Sequence, residues 1–175
     1  MATELLDLWP SDLNVDAVSP RMLLNEQAEV LARKTKGLVR GEVSISSEAP
    51  NDTEGPVEQL NFDLFAPAVG FRQRLLFLRY GKETLYPVAI MATALRDRGE
   101  ITGTPTTITE AAANGRYPAR FAASPEEVQE VLRIVFNAPT TKATLFSLIA
   151  RSNEIRAKSE AKEEPSNRNQ PSTEG

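Results

Sequence analysis

The chain of 175 residues contains no histidine and no cysteine. Without histidine there is no imidazole to act as a general base near neutral pH, which excludes a Ser-His-Asp triad. Without cysteine there is no thiolate nucleophile and no disulfide. The two absences together exclude the zinc, haem and iron–sulfur sites that are built on these ligands. Any catalysis would therefore depend on carboxylates, hydroxyls, lysine or arginine.

Long apolar runs are also missing. The longest run, near residues 89–95, is far too short to span a bilayer. The first charged residue is Glu4, whereas a secretory signal peptide begins with a basic region. The sequence therefore predicts a cytoplasmic protein that makes no membrane contact.

The composition is that of a globular protein, with 41% hydrophobic and 25% charged residues. We predict one domain over residues 1–157, which begins with an apolar N-terminal arm at 1–18. Residues 158–175 are almost devoid of apolar side chains and predict a disordered tail. The net charge is −4, but residues 1–70 hold 12 acidic against 5 basic residues, while residues 71–156 hold 8 against 12. Such asymmetry can orient a partner, although segment charges seldom survive folding as separate patches.

Two local signals mark helix starts. Ser19-Pro20 combines a favoured N-cap with proline at the first helical position, and Gly37 is a suitable terminator, which predicts a helix over 20–36. The capping box Ser124-Pro125-Glu126-Glu127 begins a second helix. Asn137-Ala138-Pro139 ends that helix and starts a third.

Between these helices the apolar residues alternate with polar ones, as in half-buried strands. Strands are predicted at 39–46, 60–64 and 71–80, and a tight turn at Gly81-Lys82 leads into a fourth. The apolar run from Leu75 to Leu78 predicts a central strand that is covered on both faces. The predicted fold class is therefore α+β: a four-stranded antiparallel meander with an N-terminal helix, a C-terminal helical pair and a disordered C-terminal tail. For residues 99–118 the sequence predicts no regular structure, apart from a short helix at 108–114.

No motif assembles the remaining chemistry into a catalytic site. Asp97 and Glu100 flank a glycine and could together chelate a metal ion, but two acidic residues on a polar turn are usually just hydrated. We therefore predict a protein that is not an enzyme and has no cofactor and no bound metal. A magnesium-dependent carboxylate enzyme stays as a further alternative.

Nucleic-acid binding has some support. Arg72 and Arg74 share one face of a predicted strand, and Arg116, Tyr117 and Arg120 lie in a segment where basic and aromatic residues alternate. Arginine can bind phosphates while an aromatic ring stacks on a base. The isoelectric point of about 5.1 argues against this interpretation, since nucleic-acid-binding domains are usually basic.

Protein–protein contact is the leading hypothesis. Leu5, Leu8, Trp9 and Leu13 form an apolar segment ahead of the first helix, and tryptophan is enriched at binding hot spots. Packing of Trp9 on its own domain is the simpler interpretation. We predict a subunit or adaptor of a larger assembly, which binds another protein or a second copy of itself. A small nucleic-acid-associated regulator is the main alternative.

Overall fold

The computed structural model describes residues 18–46, 57–98 and 119–163, which form an α+β fold. In chain order its elements are α1 (Pro20–Lys34), β1 (Arg40–Ser46), β2 (Val57–Ala66), β3 (Phe71–Gly81), β4 (Val88–Ala92), β5 (Ala119–Ala122), α2 (Pro125–Asn137) and α3 (Pro139–Glu163). Two short 3₁₀ segments, Pro67–Val69 and Thr93–Arg98, follow β2 and β4. Within these ranges, no helix is both long and apolar enough to cross a membrane.

The strands form one antiparallel sheet in which each strand pairs with the next along the chain, in the order β1-β2-β3-β4-β5. The predicted meander is therefore confirmed, but the described residues hold five strands where the sequence predicted four. The additional strand, β5, is only four residues long and carries no alternating pattern that would have revealed it.

The predicted two-residue hairpin at Gly81-Lys82 is wrong. The tight turn would have paired Leu78 with Leu85, whereas Leu78 pairs with Ile90, and residues 82–87 form a longer connection. Proline explains the difference, because the tight turn would have placed Pro87 inside the fourth strand. The longer loop leaves Pro87 just ahead of β4, where the hydrogen bonds of the sheet do not require a backbone N–H.

A β-bulge changes the orientation of the apolar run in β3. Asp63 pairs with Arg74 while the neighbouring Phe62 pairs with Leu76, so that Leu75 is an extra residue. Leu75 and Leu76 consequently both contribute to the helix-covered side, where Leu75 lines the cleft described below. The predicted central position of this strand is confirmed, since β3 is the third of the five strands. Phe77, which pairs with Asn61, is the residue of the apolar run that lies on the opposite face.

Helix α1 begins as its sequence predicts. The hydroxyl of Ser19 accepts a hydrogen bond from the Met22 N–H, and Pro20 occupies the first helical position. At the other end the N–H of Gly37 donates to the carbonyl of Ala32, and the N–H of Lys36 donates to that of Arg33. These two bonds form a Schellman motif in which Lys36, not the predicted Gly37, takes the left-handed position directly after the C-cap Thr35. Gly37 follows it and also has a positive φ.

Helix α2 begins at the predicted capping box. The Ser124 hydroxyl accepts from the Glu127 N–H, and the Glu127 carboxylate accepts from the N–H of Ala123 at 2.7 Å. The pKa of the exposed Glu126 carboxyl is lowered, mainly by a hydrogen bond from its own backbone N–H and to a lesser extent by one from the Ser124 side chain.

Helix α3 continues to Glu163, through the first six residues of the predicted tail. Residues 164–175, the remainder of that tail, lie outside the described residues. So do the predicted short helix at 108–114 and the N-terminal arm before Val18.

All three helices pack on one face of the sheet and enclose the core there. The fully buried side chains of this face come from β2, β3 and β4 and pack on apolar residues of the helices: Leu60, Phe62, Leu64, Leu76, Leu78, Val88, Ile90, Leu24, Val128 and Val135. Because cross-strand partners point to the same side of a sheet, the alternate residues of these strands make the opposite face. We call these the apolar face and the polar face.

Candidate functional site

A cleft of about 380 Å³ lies on the apolar face, between the three helices. Its floor is formed by the sheet, from Phe62 and Leu64 of β2 and the bulge residue Leu75 of β3. This volume lies within the range of about 300–1,000 Å³ that accommodates specific ligands in proteins.

The walls come from residues at helical spacing. The contributing side chains are Leu23, Gln27, Val30, Leu31 and Lys34 of α1, Gln129, Leu132, Arg133, Phe136 and Asn137 of α2, and Thr141 and Leu145 of α3. On α1 and α2 they recur every three or four residues and so form one stripe along each helix. The rings of Phe62 and Phe136 are 5.6 Å apart and tilted by 45°, which joins the floor to the α2 wall.

The rim of the cleft is polar and positively charged. Gln27 is half-buried, and the other four polar rim residues, Lys34, Gln129, Arg133 and Asn137, are exposed. Among the residues that the structure describes, the charged side chains of the lining are Lys34 and Arg133, and none is a carboxylate. Within the described part of the chain, neither cation has an ion-pair partner. The cleft is therefore suited to an apolar group that carries negative charge.

On the polar face, by contrast, side chains satisfy one another. The Nε–H of Arg79 donates to the Gln59 amide oxygen, and the Gln59 amide N–H donates to the Asn61 oxygen, both at 2.9 Å. Gln59, Asn61 and Asp63 are at most 8% exposed. Buried amides and carboxylates persist only where hydrogen bonds replace those to water.

Arg72 and Arg74, two of the residues predicted to bind nucleic acid, lie side by side on the polar face. Arg74 donates to Asp63 at 3.1 Å, and Arg72 forms an ion pair with Glu42. The Arg72 guanidinium also lies 5.2 Å from the centre of the Phe65 ring. Both cations are thus already engaged by carboxylates of the same sheet.

The other nucleic-acid candidates do not join this pair. Arg120 pairs with Ile90 in the sheet, which places it on the apolar side at the β5 edge. Arg116 and Tyr117 lie outside the described residues, and so do the protein-contact candidates Leu5, Leu8, Trp9 and Leu13.

Among the residues that the structure describes, no three or more acidic, histidine or cysteine side chains come together as a metal site. The candidate pair Asp97 and Glu100 is not tested, since the side chain of the first and the whole of the second lie outside the described part.

The sequence predicts that the apolar residues of the cleft walls are part of the core, and it does not predict a cleft. Helical spacing predicts that four of these residues face the core: Leu31, Leu132, Phe136 and Leu145. Lys34 is expected only as a cation that suits the last turn of α1, and no pattern in the sequence points to Arg133. The available signal was the width of the stripe on α1, where Val30 and Leu31 extend it beyond the fully buried Leu23 and Leu24. An amphipathic helix with an apolar band wider than its buried face has apolar surface left for another contact.

The chain matches no protein-family model, no curated protein sequence and no solved structure.

Proposed function

We propose that this chain is a non-catalytic protein–protein interaction module, and that the cleft between α1, α2 and α3 receives an apolar, acidic segment of its partner. The observation that carries the proposal is the combination of a Leu/Phe-lined cleft with two cations at its rim, Lys34 and Arg133, which have no ion-pair partner in the described part of the chain. The cytoplasmic location and the role as a subunit of a larger assembly belong to the same proposal.

Apolar side chains of a partner would gain by leaving water. Each Leu or Phe that becomes fully buried contributes about 1.5–3 kcal/mol. Grooves formed by packed helices commonly bind amphipathic segments through anchors spaced at helical intervals. The cations at the rim would select among such segments, because charge complementarity favours acidic partners and disfavours basic ones.

The nucleic-acid alternative has weaker support in the structure. Its two described arginines on the polar face each face a carboxylate, and phosphate would have to displace Glu42 or Asp63. We therefore give preference to the cleft.

Affinity capture from the source cells, with matched charge variants as bait, tests the proposal. The double variant Lys34→Glu/Arg133→Glu reverses the rim charge without touching the core. Lys142→Glu/Arg151→Glu is its control, since these exposed α3 residues do not line the cleft. We expect a stoichiometric protein that is captured by the wild type and the control and lost with the rim variant.

Equal capture by all three baits would refute the cleft as the contact site. Captured material that disappears after nuclease treatment, and whose binding weakens steeply with salt, would instead favour the nucleic-acid alternative.

A further inference from the structure

We propose that the N-terminal segment 4–13 of the same chain occupies the cleft in the free protein, so that a partner must displace it. The inference rests on the proposed function, because it names a built-in competitor for the same site. It combines the charge and lining of the cleft with the sequence of residues 1–17.

The segment has the chemistry that the cleft is suited to bind. Residues 1–17 contain four acidic side chains, no lysine and no arginine. Between the acids lie Leu5, Leu6, Leu8, Trp9 and Leu13. An acidic, leucine-rich segment complements a leucine-lined cleft whose charged rim residues are both cations.

The chain also leaves the described fold close enough to reach the cleft. The Val18 carbonyl accepts a hydrogen bond from the Tyr86 hydroxyl at 2.9 Å, which fixes the point where the segment begins. From Val18 to Trp9 an extended chain spans up to about 30 Å. Helix α1, which borders the cleft from Leu23 to Lys34, is only about 22 Å long. Trp9 therefore has the reach to contact the cleft along the whole length of α1.

Attachment to the same chain makes a weak contact sufficient. A short connection keeps the local concentration of a tethered segment on the order of millimolar. An intrinsic dissociation constant of that size would already fill about half of the clefts. Each apolar side chain of the segment that becomes buried in the cleft, Trp9 among them, strengthens this contact.

Fluorescence of Trp9 in the full-length chain tests the inference directly, since this is the single tryptophan of the sequence. We expect Trp9 in the native wild type to be quenched by acrylamide severalfold less than in the urea-unfolded chain, with a blue-shifted emission. The variant Lys34→Glu/Arg133→Glu should expose Trp9, whereas Lys142→Glu/Arg151→Glu should leave it shielded. Circular dichroism and the unfolding midpoint verify that each variant is folded.

Charge exchange provides the sharper arm of the experiment. Asp7→Lys/Asp12→Lys should expose Trp9, and combining it with Lys34→Glu/Arg133→Glu should restore the shielding, since opposite charges again face each other. Trp9 that is fully accessible in the wild type would overturn the inference. Shielding that ignores the rim variants would overturn it too, as would shielding that is lost on dilution, which indicates exchange between copies.

The same variants separate this inference from the proposed function. If Trp9 is accessible while the rim variant still loses the captured partner, the inference fails and the function stands. If Trp9 is shielded by the cleft, but neither the wild type nor Trp9→Ala captures any protein, the function fails and the inference stands.

Discussion

On β2, Leu60, Phe62 and Leu64 face the helices, whereas Gln59, Asn61 and Asp63 point the other way, and all six side chains are buried. The first three side chains exchange water for apolar neighbours, which is favourable in proportion to the apolar surface removed from water. The other three exchange water for hydrogen bonds within the protein, which roughly compensate for dehydration. One strand thus provides stability through one face and ordered polar pairs through the other.

The comparison also separates the two candidate binding surfaces. On the polar face, Arg72 and Arg74 are engaged by carboxylates of the neighbouring strands. The cleft cations Lys34 and Arg133 have no such partner among the described residues. A surface whose charges are already paired gains little from a charged ligand, because the new bond replaces an old one. The cleft therefore has more to gain from an acidic partner.

The largest effect is expected on the apolar face, from Phe62→Ala. Phe62 is 1% exposed and contacts Phe136, so removal of its ring leaves a cavity. We expect a loss of about 3–5 kcal/mol in the free energy of unfolding, measured by urea denaturation. A loss below about 1 kcal/mol would show that this face does not dominate stability.

On the polar face, Asn61→Ala should cost about 1–3 kcal/mol, because the buried Gln59 amide loses its acceptor. The double variant Gln59→Leu/Asn61→Leu removes both amides, but it also removes the Gln59 oxygen to which the Arg79 Nε–H donates, so it should recover only part of that loss. Denaturation of both variants checks the pair. If the double variant is less stable than Asn61→Ala, the two amides contribute more to the free energy of unfolding than the hydrogen bond between them.

Close packing of the apolar face makes Gly41→Ala costly. A Cβ at Gly41 would lie 2.6 Å from Cζ of Phe62 and 2.9 Å from Cα of Ala28. We expect a loss of about 1–3 kcal/mol from overpacking, read from the unfolding midpoint. The double variant Gly41→Ala/Phe62→Leu relieves the ring contact, and it should lose less than the two single losses added together.

Alkaline pH tests a polar group at the margin of the core. Burial, together with the hydrogen bond to Glu58, raises the pKa of Tyr80. A raised pKa stabilises the fold below the unfolded-state value of about 10, and this contribution is lost as the pH rises further. Unfolding free energies from pH 8 upward should therefore fall more steeply for the wild type than for Tyr80→Phe. Parallel curves would contradict the assignment.

The smallest effect belongs to the exposed ion pair on the polar face. Arg72 is more than half exposed, so Arg72→Ala should cost only about 0.2–1 kcal/mol, and the difference from the wild type should shrink with added salt. Denaturation at low and high salt measures this. A larger loss that does not depend on salt would point to the contact with Phe65 instead.

Local signals in the sequence were sufficient for the helices, because each cap lies within a few residues of the helix it starts. Ser19-Pro20 and the capping box at Ser124 both act where predicted. The alternating strands β1, β2 and β3 were found for the same reason. Strand register is different, because it depends on which residues meet across the sheet. The tight turn at Gly81 was outweighed by the position of Pro87, and the bulge at Leu75 has no local signature.

The cleft could not be predicted from local sequence patterns. Its α1 and α2 walls are about a hundred residues apart in sequence, and only the packed fold brings Leu31 near Leu132. The sequence predicted that both were buried. It did not predict that Lys34 and Arg133 would meet at one rim, because side chains near in space but distant in sequence leave no periodic pattern.

A photo-crosslinking amino acid, introduced in turn at one exposed position at the cleft and one on the polar face in the full-length protein, tests the central claim most directly. The positions are Gln129 at the rim of the cleft and Ser44 on the polar face. Irradiation in the source cells should link position 129 to a partner protein. That product should be lost with Lys34→Glu/Arg133→Glu, and position 44 should give no such product. Crosslinks from position 44 and none from position 129 would place the interaction on the polar face and contradict the account.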